Sequence, residues 1–331
     1  MIKVENLVKR YGDHVAVDHL SFHVGKGQIY GFLGPNGAGK STTMNIMTGY
    51  LAATEGTVKI NGFDILKQPE EAKKSIGYLP EIPPLYTDMT VDEYLQFAAE
   101  LKKIAKADRD TQIEEVMEMT MITDMKDRLI KNLSKGYKQR VGLAQAILGE
   151  PEVIILDEPT VGLDPKQIIE IRDLIRKLGE KHTVILSSHI LSEVSAVCDH
   201  IMIISHGKLV ASDSPEGLQK LQNTKRQLTV LVKGEKENVQ NVISDIKNIN
   251  TYKVESGKEK GSVEAVIETE VDVDIREELF YSLAEKKLPI LEMQLSEKSL
   301  EDIFLELTQD STEEAEEKEE IQEEEVNDSN L

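Results

Sequence analysis

The chain of 331 residues has little cysteine and no long apolar segment. Cys198 has no second thiol to pair with, so an internal disulfide is excluded and a reducing, cytosolic location is expected. No apolar run approaches the roughly 18 residues that a membrane-spanning helix needs. Residues 1–6 enter a charged, strand-like segment at once, without the apolar core of a signal peptide. Any channel that this protein serves is therefore expected to belong to another polypeptide.

Basic residues are also scarce relative to acidic ones. The chain has 39 Lys and Arg against 60 Asp and Glu, a formal net charge of −21. This charge repels phosphates, so no nucleic-acid partner is expected. In residues 310–331, eleven acidic residues accompany a single basic one, Lys318. This segment has too little apolar surface to offset the entropy cost of ordering, which predicts a disordered tail. A solvated tail without function and a specific acidic binding segment both remain open.

A glycine-rich loop between an apolar strand and a helix is the clearest motif. Residues 28–33 predict the strand and residues 43–47 the helix, and the loop between them has the spacing Gly-x4-Gly-Lys-Ser. Such a loop binds nucleoside triphosphates, because its backbone N–H groups and the helix N-terminus converge on the phosphates. A glycine-rich turn without function is the alternative. The residues assigned to phosphate binding are Gly34, Pro35, Asn36, Gly37, Ala38, Gly39, Lys40, Ser41 and Thr42.

Individual residues of this loop have distinct expected roles. Gly34, Gly37 and Gly39 are expected to adopt positive φ and to let the backbone approach phosphate closely. Lys40 is expected to neutralise the β- and γ-phosphates. The Ser41 hydroxyl is expected to take one position around Mg²⁺, because Mg²⁺ prefers hard oxygen ligands.

Two carboxylates follow a second apolar strand. Residues 153–156 are β-branched or leucine throughout, which predicts a strand buried on both faces of a parallel sheet. Ligands collect at the carboxyl ends of such strands. Asp157 is expected to hold Mg²⁺, and Glu158 to accept a proton from an attacking water. The alternative is that Asp-Glu-Pro-Thr simply caps the next helix.

Strand and helix patterns alternate through residues 1–221, and a smaller α/β domain is predicted over 222–309. Its strands are predicted at 227–232, 251–255, 263–268 and 289–295, and its helices at 237–246 and 275–286. This order, β-α-β-β-α-β, is the split-βαβ or ferredoxin-like pattern. A final amphipathic helix is predicted over 299–308 from apolar residues spaced i, i+3, i+4, i+7.

Between the two nucleotide motifs, residues 133–137 read Leu-Ser-Lys-Gly-Tyr. Here the chain resembles the ATP-binding subunits of ABC transporters, whose Leu-Ser-Gly-Gly-Gln motif is matched at three positions. The resemblance implies that Ser134 and Gly136 close on the γ-phosphate held by a second subunit, and that Asp164 lies in the loop linking the two sites. It also implies that His189 contacts the γ-phosphate and that Tyr11 stacks on adenine. Taken separately, either ring would more often be a packed or surface residue.

The resemblance implies the rest of the function as well. The fold would be a phosphate-loop NTPase of ABC type, with a helical subdomain over about residues 82–150. The subunit would bind ATP and Mg²⁺, dimerise with a second ATP-binding subunit, normally an identical one, and drive a separate membrane-spanning permease. It would lie at the cytoplasmic face of the membrane through that permease. Residues 76–81 and 300–304 resemble the drug, antibiotic and sodium export branch, including gliding-type subunits.

Two departures from the family pattern matter. Glu81 stands where the family usually has Gln; it is assigned to the nucleotide and to Mg²⁺, with a solvent-facing carboxylate as the alternative. Lys135 and Tyr137 replace the second Gly and the Gln of the phosphate-sensing motif. Lys135 either adds a cation near the partner's phosphate or faces solvent.

Two other functions are compatible with a phosphate-binding loop. The first is a soluble ABC-type ATPase that acts as a mechanical or regulatory switch without transport. Members of that kind carry two nucleotide domains or a long coiled-coil insertion, and this chain has neither. The second is an unrelated phosphate-loop kinase, which would have no use for residues 133–137.

Overall fold

The computed structural model describes residues 1–222, 225–270, 272–296, 300–301 and 303–305. Contacts within the described chain separate two compact units, Met1–Pro215 and Glu216–Leu305. The expected domain border at residue 221 falls on a helix, Pro215–Gln222, that begins at this division. The predicted tail, residues 310–331, lies outside the described residues, as do residues 299, 302 and 306–308 of the expected closing helix.

The first unit is built on two sheets. One is antiparallel, in the order β2-β1-β4-β5, and consists of β1 (Ile2–Tyr11), β2 (His14–Val24), β4 (Glu55–Ile60) and β5 (Phe63–Asp64). The other has the order β10-β9-β3-β8-β7-β6 and consists of β3 (Ile29–Leu33), β6 (Ile76–Leu79), β7 (Val153–Leu156), β8 (Thr183–Ser188), β9 (His200–Ser205) and β10 (Lys208–Asp213). In the second sheet only β10 is antiparallel to its neighbour, so the carboxyl ends of the other strands meet at one edge.

The central strands form because they are apolar on both faces. Every residue of β3, β7 and β8 is buried, as expected for a parallel sheet that is covered on both sides. β7 pairs with β8 in a register that places Ile155 beside Ile185 and Leu156 beside Leu186. This register fixes which residues are adjacent where the two strands end.

Helices surround this sheet and form an insertion between β6 and β7. They are α1 (Lys40–Met47), α2 (Pro69–Lys74), α3 (Val91–Leu101), α4 (Lys106–Met119), α5 (Lys135–Ile147), α6 (Pro165–Gly179) and α7 (Leu191–Ser195), with 3₁₀ turns at Thr123–Met125 and Ile130–Asn132. The insertion contains α3, α4 and α5 and is the helical subdomain that the resemblance implied. Among the helices that the structure describes, none combines the length and apolar character of a membrane span.

Lys102 joins two helices of this insertion. It follows α3, and its ammonium donates to the carbonyls of Gln145, Ala146 and Leu148 at 2.8, 3.0 and 2.6 Å, at the end of α5. A cation there satisfies backbone acceptors that a helix leaves free and interacts favourably with its dipole. Burial opposes the charge and lowers the pKa of Lys102 to about 8.

The second unit confirms the predicted split-βαβ order. After α8 (Pro215–Gln222) come β11 (Lys225–Lys233), α9 (Lys236–Asp245), β12 (Ile249–Ser256), β13 (Ser262–Glu270), α10 (Arg276–Glu285) and β14 (Ile290–Ser296). The strands form an antiparallel sheet in the order β12-β13-β11-β14. Its core joins strand residues such as Val230 and Ile267 to Val239 of α9 and Leu279 of α10.

Candidate active site

The glycine-rich loop runs from the end of β3 into α1, as predicted. Gly37 and Gly39 have φ of 84° and 98°, so both need the left-handed conformation that glycine adopts readily. The expectation of positive φ at Gly34 is wrong. Glycine is required there for space, because a Cβ atom would lie 2.3 Å from the carbonyl oxygen of Ile204 on the neighbouring strand.

Lys40 opens α1 and is almost fully buried beneath the loop. Its ammonium donates to the carbonyl oxygens of Gly34, at 2.7 Å, and Pro35, at 3.1 Å. It also lies 3.7 Å from Oε1 of Glu158. Burial lowers the pKa of Lys40, against the opposing effect of the Glu158 and Asp157 carboxylates. The lysine thus brings positive charge to the point where β3 and β7 end.

Asp157 and Glu158 follow β7 and are both buried. The Ser187 hydroxyl holds them together: it donates to Oδ1 of Asp157 at 2.6 Å and accepts from the backbone N–H of Glu158 at 2.9 Å. Glu158 has φ of 48°, a left-handed conformation that is uncommon for a residue with a side chain. Such backbone strain is found disproportionately at functional sites, and here it accompanies the turn that directs Glu158 into the cleft.

His189 follows β8, the strand beside β7. Its Nδ1 lies 3.0 Å from Oε2 of Glu158, so the imidazole and the carboxylate form a hydrogen-bonded pair. Lys40 faces the other carboxylate oxygen of Glu158. The glutamate is therefore oriented from both sides, by a cation and by a ring that can exchange a proton.

A third buried carboxylate at this site, which sequence reasoning missed, supports these two strand ends. Oε2 of Glu193, in α7, accepts from the Thr160 hydroxyl at 2.5 Å and from the Ser188 hydroxyl at 3.2 Å. The Ser188 oxygen in turn accepts from the backbone N–H of Ile190 at 3.0 Å. Glu193 therefore ties the segment after Glu158 to the segment around His189. The sequence signal that could have revealed this role of Glu193 is a pair of serines at the end of an apolar strand, followed shortly by an acidic residue.

Most of the predicted residues meet around one cleft of about 530 Å³. His14, Ala16 and Val161 line it as well and were not predicted. The predicted residues that line the cleft are Tyr11, Asn36, Gly37, Gly39, Lys40, Ser41, Thr42, Glu81, Glu158 and His189.

Tyr11 stands at the rim of the cleft, where β1 turns into β2, with half of its surface exposed. The Lys9 ammonium lies 5.1 Å from the centre of its ring and also donates to the carbonyl of Ala52 at 2.9 Å. A cation near an aromatic face is attracted by the ring quadrupole. This contact holds the ring at the rim.

Ser134, Gly136 and Asp164 do not line this cleft. Ser134 begins α5 and accepts from the Tyr137 N–H, and Asp164 begins α6 and accepts from the Gln167 N–H at 2.9 Å. A Cβ atom on Gly136 would lie 2.6 Å from Oε1 of Gln167, so the two helix starts pack closely. The Asp164 carboxylate and the Ser134 hydroxyl thus cap two neighbouring helices away from the cleft.

Lys135 is exposed and crosses the loop before α6. A Cβ atom on Gly162 would lie 2.2 Å from its ammonium nitrogen. The flexible lysine could move aside, but Gly162 has φ of 72°, a conformation that favours glycine. The lysine therefore stands beside the start of α5, where it meets solvent on its free side.

The residues predicted to hold Mg²⁺ are suited to a hard cation. The Ser41 hydroxyl donates to Oδ1 of Asp157 at 3.3 Å, so a hydroxyl and a carboxylate oxygen adjoin at the cleft. Glu81 lines the cleft with an exposed side chain. Within the described ranges, no group of three or more His, Cys, Asp or Glu side chains forms a metal cage. An ion here would have to share its coordination with phosphate oxygens and water, as Mg²⁺ commonly does.

Comparison with known proteins identifies related chains over nearly the whole length. The profile of the family described as ABC transporter matches residues 17–161. The bacitracin transport ATP-binding protein BcrA of Bacillus licheniformis is 35% identical, with 93% of this chain and 97% of that protein aligned. The linearmycin resistance ATP-binding protein LnrL of Bacillus subtilis (strain 168) is 31% identical, with 93% and 98% aligned. Among solved structures, a dimeric post-hydrolysis ATP-binding cassette bound to ADP and Pi superimposes with a TM-score of 0.60 at 25% identity, covering 65% of this chain and 98% of that one.

The Glu193 contacts generate a prediction about coupling. Replacing Glu193→Gln and Thr160→Val singly should each lower the free energy of unfolding by about 1–3 kcal/mol, since the first replaces a charged acceptor by a neutral amide that carries donors, and the second removes the Thr160 donor. The double variant should lose less than the sum by at least about 0.5 kcal/mol. Denaturant unfolding of the four proteins measures this cycle, with Glu118→Gln on an exposed helix face as the control. Strict additivity would show that the two side chains do not act together.

Proposed function

The chain belongs to the ATP-binding proteins of ABC transporters and is an ABC ATPase, and we propose that two copies close on two Mg·ATP to drive a separate membrane permease that exports its substrate. The observation that carries this proposal is the meeting of Lys40, Glu158 and His189 in one cleft beside the phosphate loop. Phosphate-binding and proton-accepting groups are thereby placed within reach of one another.

The loop and Lys40 would bind the triphosphate. Backbone N–H groups from Gly37 to Thr42 surround the start of α1, where the helix dipole adds partial positive charge. Lys40, now held by two loop carbonyls, would place its ammonium against the β- and γ-phosphates. Ser41 and Asp157 would hold Mg²⁺, which neutralises charge on the phosphate oxygens when it is bound. Catalysis of phosphoryl transfer depends largely on such positioning and charge stabilisation.

Glu158 would act as the general base. One oxygen of its carboxylate would take the proton of the attacking water, while the other is oriented by the hydrogen bond to His189. Ser187 keeps the backbone of Glu158 in place by accepting its N–H, a bond that does not involve the carboxylate. His189 would orient the γ-phosphate and the base together, because its ring lines the same cleft.

Tyr11 would receive the adenine ring. Its exposed position at the rim is compatible with stacking on one face while the Lys9 ammonium approaches the ring. Pro35, Asn36 and Ala38 would shape the loop that follows β3. These assignments rest on the resemblance together with the position of the side chains around the cleft.

The second subunit would complete each site. Ser134 and Gly136 lie at the N-terminus of α5, a 13-residue helix whose dipole favours a negative charge there. Because they lie away from the cleft of their own chain, they are available to contact the γ-phosphate held by a partner. Asp164, packed against the same region through Gln167, would link the two sites. An identical copy is the simplest partner, since one chain carries both halves.

The direction of transport is inferred from the relatives. The names of two of them refer to bacitracin transport and linearmycin resistance, which supports an export function for this chain. The permease would be a separate chain, and the ATPase would lie at the cytoplasmic face of the membrane, attached through it. Glu81 begins the segment that in this family joins the nucleotide core to the helical insertion. It would thus sense Mg·ATP at one end of a segment that faces the permease.

Replacing Glu158→Gln tests the ATPase mechanism. ATP should still bind, since the loop is unchanged, but hydrolysis should fall by roughly 10²- to 10⁴-fold, the scale for losing a general base. The slow variant should accumulate as an ATP-dependent dimer in sizing chromatography, whereas the exposed-site control Glu180→Gln should behave as the parent. A variant that stays monomeric with saturating Mg·ATP while the parent turns over would contradict the closed dimer.

Replacing Glu81→Gln tests the metal assignment. With ATP bound, three carboxylates, Glu81, Asp157 and Glu158, would stand near the γ-phosphate, so their negative charge would be tolerable mainly when Mg²⁺ is bound. The variant should keep its turnover but require less Mg²⁺, visible as a titration of ATPase activity shifted toward lower Mg²⁺ concentration. Glu152→Gln, outside the cleft, serves as the control. An unchanged titration would mean that the Glu81 carboxylate does not reach the metal.

Transport is tested in the native cell. The tagged chain, extracted from membranes with mild detergent, should carry with it a protein with several apolar spans. Cells lacking the chain should accumulate more of an antibiotic that the parent expels, and Glu158→Gln should not restore expulsion. Recovery of the chain alone, with normal efflux in its absence, would instead favour a soluble ABC-type switch.

A further inference from the structure

Several large apolar side chains of α10 and β14 in the second unit are exposed. Phe280 and Tyr281 are 52% and 59% exposed and contact each other edge to face. Leu291 and Leu295 are 42% and 38% exposed. Beside the strand, Phe280 and Ile290 line a groove of about 280 Å³. Clustered exposed apolar groups of this kind mark interaction sites.

The outer edge of β14 is open to pairing. Within the part of the chain that the structure describes, β14 pairs with β11 alone and ends the sheet. Exposed edge strands are commonly protected by lysine or proline. Residues 290–296 contain neither, whereas β12, at the opposite edge, carries Lys253 in its middle. β14 therefore has the character of a strand that another strand covers.

The sequence of β14 points to a second copy of itself. Residues 291–295 read Leu-Glu-Met-Gln-Leu, which is nearly the same in both directions. If two copies pair antiparallel about Met293, Leu291 of one lies opposite Leu295 of the other. Glu292 then lies opposite Gln294, an acceptor against a donor. A twofold axis at Glu292 instead would set two carboxylates face to face, which is destabilising.

The faces of the sheet also match in this register. Met293 and Leu295 pair with Val230 and Leu228 of β11, which are buried in the core beneath α9 and α10. Glu292 and Gln294 pair with Leu231 and Thr229 and alternate to the other face. With a twofold axis perpendicular to the sheet, each residue of one copy pairs with a residue of the other copy on the same face of the joined sheet. Met293 of each copy thus meets its counterpart on the helix-covered side, and Glu292 and Gln294 meet on the other, while Leu291 lies in the irregular stretch of β14 between Ile290 and Glu292.

We propose that two copies of this chain associate through their β14 strands, which join the two four-stranded sheets into one of eight strands. The contact needs no nucleotide, so it differs from the ATP-dependent closure of the nucleotide domains. It would hold two ATPase subunits together while their nucleotide sites open. The inference stands on the second unit alone and not on the proposed ATPase mechanism.

Cross-linking of the full chain without nucleotide tests the strand assignment. Met293→Cys should give a covalent dimer with a short bismaleimide, because the two residues face each other across the axis. The only other thiol, Cys198, is buried and should not react. Tyr252→Cys, exposed on the opposite edge strand, is the matched control and should stay monomeric. A failure of Met293→Cys to cross-link, or equal cross-linking at Tyr252→Cys, would overturn the proposal.

Charge variants at Gln294 test the register without touching the core. Gln294→Lys places an ammonium opposite each partner's Glu292 and should lower the dimer dissociation constant, whereas Gln294→Glu opposes carboxylates and should raise it, each by roughly fivefold. Sedimentation equilibrium without nucleotide measures both. Dissociation constants that shift in the same direction in both variants, or a parent chain that forms no dimer, would refute the register. A dimer of Glu158→Gln that forms only with ATP would leave the ATPase mechanism standing while this contact fails.

Discussion

The Ser187 hydroxyl of β8 joins the two carboxylate residues that follow β7, because it donates to Asp157 and accepts from the backbone N–H of Glu158. It can do so because β7 and β8 are parallel neighbours whose register sets Leu156 beside Leu186, so residues 157–158 and 187–189 leave the sheet together. A shift of this register by one residue would turn Glu158 and His189 away from each other. The orientation of the base, the place of Lys40 and the support from Glu193 all depend on this pairing.

Charge is concentrated where these strands end. Lys40 is buried against Glu158 and near Asp157, and in the free chain its ammonium is satisfied mainly by two loop carbonyls. A triphosphate offers stronger, charged acceptors, so its binding exchanges neutral contacts for charged ones. When Lys40 contacts the phosphates, its positive charge stabilises the negative charge of the Glu158 carboxylate less. In the proposed mechanism, binding of the nucleotide and activation of Glu158 as the base would thereby be coupled through the Lys40 ammonium.

The second unit is stabilised in a different way from the first. Its antiparallel sheet buries one face under two helices and needs no ligand to complete it. Its open feature is an edge rather than a cleft, and an edge presents backbone donors and acceptors to another strand. The first unit thus offers a cleft lined by groups suited to phosphate, and the second an edge strand to which we assign a protein partner.

Local patterns in the sequence were sufficient to predict the secondary-structure elements and the phosphate-binding chemistry of the loop. The spacing of Gly37, Gly39 and Lys40 predicted the phosphate loop, apolar runs predicted the buried strands, and alternation predicted the βαββαβ order, because these signals depend on neighbours along the chain. The positions of Tyr11 and His189 came from resemblance. Only the tertiary structure showed that Gly34 is required by Ile204, that Ser187 bridges the carboxylates and that Glu193 joins two loops. Those contacts link residues far apart in sequence, and parallel pairing brings them together without leaving a periodic signal.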